Sequence, residues 1–79
     1  MEKAEILNRL TAIFRQVLKN ESLILTPELT ANDVDNWDSL SHMILITEIE
    51  KVFNIKFSLK NLNKLNNVGS LVELIQSKI

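Results

Sequence analysis

The stretch "DSLSHM", Asp38–Met43, places a carboxylate, two hydroxyls and an imidazole side by side. On a helix Ser39 and His42 would approach each other across one turn. Nucleophilic catalysis needs more: a base beside the nucleophile and a third group to orient that base. His42 is the only histidine of the chain, and no orienting group is evident. Its helical position also falls on the arc facing a core, so His42 reads as a partly buried structural residue. No catalytic residue is assigned. A small hydrolase built on the pair is the most remote alternative.

Asp33, Asp35 and Asp38 are spaced like the opening of a calcium loop. An EF-hand requires an oxygen ligand at its fifth position, Gly at its sixth and Glu at its twelfth. Trp37, Asp38 and Ile44 stand there instead. With no cysteine in the chain, thiolate metal sites and disulfides are excluded. No metal site is assigned.

Ser39 itself remains. Asp38 is a good N-cap, which makes Ser39 the first helical residue. A phosphate attached to that hydroxyl would sit where free backbone N–H groups and the positive end of the helix dipole favour an anion. The alternative is that Asp38 and Ser39 are only a capping pair.

The elements that must position Ser39 follow from periodicity. Between Glu2 and Lys19, Ile6, Leu7, Leu10, Ile13, Phe14, Val17 and Leu18 occupy an arc of roughly 140°, the apolar face of a first helix. About eighteen residues without period follow, "NESLILTPELTANDVDNW", a long loop marked by Pro27 and its Asn, Asp and Thr content. Leu23, Leu25, Leu29 and Val34 are expected to pin it across the helices. On the second helix His42, Leu45, Ile46, Ile49, Val52 and Phe53 form the core face. Leu40, Met43 and Ile44 fall on the opposite arc with Thr47, Glu48, Glu50 and Lys51. "NIKFS" turns the chain, with Ile55 and Phe57 pointing inward. Ser58 caps a short helix carrying Leu59, Leu62 and Leu65, and Asn66–Asn67 ends it. Asn67 caps a last helix with the stripe Val68, Leu71, Val72, Ile75 and Ile79, from which Leu74 departs. The expected fold is all-α over residues 1–79, a single small four-helix bundle with three principal helices, one short helix and a long loop between helices one and two.

Composition agrees. Seventy-nine residues, 46% hydrophobic and 24% charged with one Gly and one Pro, fit one helical domain with a thin core and little room for an enclosed active site. The N-terminus lacks a signal-peptide block and no run can span a bilayer, so a cytoplasmic location without membrane insertion is expected. Between Asn20 and Glu50 there is no Lys or Arg, while Glu21, Glu28, Asp33, Asp35, Asp38, Glu48 and Glu50 all fall there. This middle segment either meets positively charged surfaces or is a solvated acidic loop. Nucleic-acid binding is disfavoured, because the exposed helix face lacks a basic stripe.

"DSL" at Asp38–Leu40, opening a helix after a loop containing "LTPEL", resembles the attachment motif of the acyl carrier protein family, the phosphopantetheine-binding four-helix domains. "EIEKVFNIKFS" resembles that family's acidic helix end and following turn, and "NVGSLVELI" its last-helix start. The resemblance covers essentially the whole chain. It implies that Ser39, preceded by Asp38, carries covalent 4′-phosphopantetheine derived from coenzyme A and transferred by a holo-carrier synthase, a phosphopantetheinyl transferase. The arm's thiol would hold an acyl or aminoacyl group as a thioester. The protein, not itself an enzyme, would present that cargo to partners: an acyl- or aminoacyl-loading enzyme and downstream transferases or synthases. Leu40 and Met43 match partner-contacting positions and Glu50 an acidic one; Ile44 and Glu48 join them on the same face. A monomer making transient contacts is expected.

Ser41 and Ile44 stand where the fatty-acid carriers usually have acids, Lys51 interrupts the acidic end, and Trp37 replaces a small residue. These departures point toward specialised pathways (polyketide, peptide or surface polymer). The competing reading is a helical interaction module without a prosthetic group, which would use the Leu40–Met43–Ile44 patch in its unmodified form.

Overall fold

The computed structural model describes residues 1–62 and 67–79, with the side chains of Leu59 and Leu62 left aside. The order is α1 (Lys3–Leu18), a 3-10 turn (Ala31–Asp33), α2 (Ser39–Phe53), a short α3 (Leu59–Leu62) and α4 (Val68–Lys78). The described residues form helices and loops and no strands. This is the expected all-α arrangement of three principal helices, one short helix and a long first loop.

Helix α1 buries Ile6, Leu10, Ile13, Phe14 and Leu18, with Leu7 and Val17 partly covered. It packs against both α2 and α4. The helix ends because Lys19 turns into the left-handed region, φ 55°, and its N–H bonds back to the Arg15 carbonyl. The loop that follows is held down by buried Leu25, Val34 and Trp37, with Leu23 and Leu29 half-buried. The Arg15 Nε–H donates to the Leu23 carbonyl at 2.8 Å, fixing the start of the loop on α1.

Helix α2 buries Leu45, Ile46, Ile49 and Phe53. One residue expected on this face differs. Val52 is 44% exposed, lying about 20° outside the edge that buried Leu45 sets on the wheel. His42 is half-buried, as expected, with its ring against Trp37. On α4 the stripe Val68, Leu71, Val72 and Ile75 is buried. Ile79 follows the last helical residue and is 47% exposed, so the stripe stops before it.

Ser58 caps α3 through the Asn61 N–H at 3.2 Å, and Asn67 caps α4 by accepting the Ser70 N–H at 2.8 Å. Leu65 and Asn66 lie outside the described residues. The long loop meets the start of α4 directly: the N–H groups of Val68 and Gly69 donate to the carbonyls of Leu29 and Pro27 at 3.0 and 2.9 Å. A Cβ on Gly69 would lie 3.1 Å from the Pro27 oxygen and 3.3 Å from its Cβ. That carbonyl cannot withdraw without loosening its bond to the Gly69 N–H. Gly69→Ala is therefore expected to lose about 1 kcal/mol in urea unfolding, the crowding outweighing Ala's helix propensity. A stabilised variant would refute this close approach.

Candidate functional site

The first turn of α2 is built around two serines with different work. Asp38 is the extended N-cap, and its Oδ1 accepts the Ser41 N–H at 2.9 Å. The Ser41 Oγ accepts the Asp38 N–H at 2.9 Å in return, and its hydroxyl donates to the Asn36 carbonyl at 2.6 Å. This reciprocal pair is a capping box in which Ser replaces the usual Glu or Gln. The Ser41 N–H on the Asp38 carboxylate is the largest reason its pKa lies below the ordinary value.

Ser39, the first residue of the helix, is exposed. Its hydroxyl has no hydrogen-bond partner among the described residues, because Ser41 has taken over the capping. The site therefore leaves one hydroxyl pointing into water at a fixed backbone position.

Nothing in the sequence pattern marks Trp37 as core, yet it is 9% exposed. Its ring meets Phe14 of α1 edge to face, centroids 5.0 Å apart. The indole Nε1–H donates to Nδ1 of His42 at 3.2 Å, and the two rings lie 23° from parallel. His42 is thus engaged by Trp37, leaving Ser39 without the base that nucleophilic catalysis requires. Burial lowers the imidazole pKa from its ordinary 6.5. Its neutral form is the one the fold favours. The resulting stabilisation is full above pH 6.5 and declines as pH falls from there through the lower folded-state value.

Trp37, Asp38, Ser39, His42 and Met43 line one open recess with Ala31 and Asn32. On the outer face of α2, Leu40 is 75%, Met43 53% and Ile44 47% exposed, the apolar patch expected from the sequence. The acids farther along are less free. Glu48 lies 3.8 Å from Lys51, and Glu50 accepts the Phe57 N–H on one oxygen at 2.9 Å. Asp33, one of the three acids of the calcium-like spacing, accepts the Thr30 N–H and hydroxyl at 3.0 Å. It closes the 3-10 turn, while Asp38 caps α2. No helix among the described residues is long and apolar enough to cross a membrane.

Comparison with known proteins bears directly on this site. The family described as "Phosphopantetheine attachment site" matches residues 8–75. Among solved structures, a holo acyl carrier protein from Geobacter metallireducens is 54% identical, with a TM-score of 0.87 over 91% of this chain and 83% of that one.

Proposed function

Because the chain belongs to the phosphopantetheine-binding acyl carrier protein family, we propose that Ser39 is the residue on which it bears its prosthetic group. The family role is that of a non-catalytic carrier with covalently bound 4′-phosphopantetheine. The observation supporting Ser39 is its exposed, unpartnered hydroxyl at the first position of α2, fixed by the Asp38–Ser41 box. In the modification, Ser39 Oγ gains a bond to phosphorus and gives up its proton, while the adenine nucleotide half of coenzyme A departs. The bound arm supplies a thiol that this cysteine-free chain lacks, and tethering raises the effective concentration of its thioester cargo for the next enzyme.

Leu40, Met43 and Ile44 form the anchor for the holo-carrier synthase and acyl-handling enzymes, with Glu48 and the free oxygen of Glu50 at the rim. A specialised pathway is favoured over housekeeping fatty acid synthesis. Ser41 and Ile44 stand where those carriers usually have acids, and Lys51 neutralises part of the acid that remains. Incubation with coenzyme A and a promiscuous holo-carrier synthase should add the mass of one phosphopantetheine. A wild-type protein that stays unmodified would sink the assignment. Met43→Glu should slow that loading by about tenfold or more, the equivalent of 1.4 kcal/mol. Its helical circular dichroism should be unchanged, because Met43 already faces water. Unfolding of the variant would show the patch to be core.

A further inference from the structure

We infer that His42 donates a hydrogen bond from Nε2 to the phosphate carried on Ser39, with Trp37 selecting the tautomer that makes this donor available. The inference rests on Ser39 being the attachment residue and adds a second residue to that site.

A neutral imidazole holds one proton on its two nitrogens. In this protein Nδ1 accepts the Trp37 indole N–H, so the proton resides on Nε2. No partner for Nε2 occurs among the described residues, and it is not a buried orphan. It therefore faces accessible space. Ser39 and His42 line the same recess, and side chains three apart on a helix start about 5–6 Å from each other. A phosphate on Ser39 Oγ would extend one bond farther, toward the ring. Met43 and Trp37 wall the recess, where the arm's first atoms would be guided.

Among the described residues no cation lines the recess to compete with His42 for the phosphate, and the one anion there is already engaged. Asp38 is the charged residue lining the recess, and its carboxylate is held on the Ser41 N–H. From α1 Trp37 meets Phe14, which is uncharged. In the unmodified protein burial opposes protonation of His42, and so does the Trp37 N–H, which would face a second donor. A phosphodiester anion on Nε2 acts the other way by favouring imidazolium. Attachment should therefore raise the His42 titration midpoint.

The test is an NMR titration of the single histidine in unmodified and modified protein, each verified by intact mass. The midpoint should move upward by about 0.5–1 pH unit on modification. It should persist in about 0.5 M salt, where through-space attraction is largely screened. The phosphorus resonance of the modified protein should follow the same midpoint, and in His42→Gln it should not move between pH 5 and 8. Coincident midpoints, a shift abolished by salt, or a phosphorus signal indifferent to His42 would overturn the contact while leaving Ser39 as the site. Failure to modify Ser39 at all would be read in the mass, and would overturn the attachment assignment together with this inference.

Discussion

Ser39→Ala protein, offered coenzyme A and a holo-carrier synthase, should keep its unmodified mass indefinitely, while its unfolding free energy stays within about 0.5 kcal/mol of wild type. Complete loss of loading without loss of stability is expected because the Ser39 hydroxyl supports nothing in the fold. The cap is closed by Ser41, and alanine is well suited to a helical position. Ser41→Ala should give the reverse. Its hydroxyl accepts from the Asp38 N–H and donates to Asn36 at 2.6 Å, so removal should cost about 1–2 kcal/mol while Ser39 remains a substrate. The pair separates chemistry from architecture within one turn. A Ser39→Ala protein that still gained the prosthetic group would move the attachment elsewhere.

Trp37→Ala should destabilise the protein by about 3–5 kcal/mol, the range for deleting a large aromatic side chain from a core. Small domains hold only about 5–15 kcal/mol in total, so the variant should melt far below wild type by circular dichroism. The indole fills the space between Phe14 and His42 and joins the end of the long loop to α1. Trp37→Phe should retain most of the packing and lose only the hydrogen bond to His42, at about 1 kcal/mol. A Trp37→Ala loss below about 1 kcal/mol would show that another group anchors the start of α2.

The frame of the site was legible in the sequence because its signals are local. Apolar spacing outlined α1, α2 and α4, and Asp38, Ser58 and Asn67 marked three helix starts where the structure finds them capping. The outward Leu40–Met43–Ile44 arc followed from the same periodicity. What the sequence leaves hidden depends on residues brought together by folding. Trp37 sits in a loop without period, and only its contact with Phe14 makes it core. Ser41 looked like a missing acid, although it fulfils the capping role usually given to Glu or Gln. Glu50 looked like a rim charge, but the turn after α2 brings the Phe57 N–H onto its carboxylate. Periodicity puts Val52 on the core face, yet it is 44% exposed, because it lies at the edge of that arc, next to the polar side.

The chain contains one tryptophan, and that residue lies in the recess beside Ser39, against the lone imidazole. Its ultraviolet emission is consequently an intrinsic reporter of this locality. Arrival of the arm at Ser39, or a proton on the neighbouring ring, should alter the environment of the only indole present. Loading could be timed in a cuvette with no dye, radiolabel or chromatographic step.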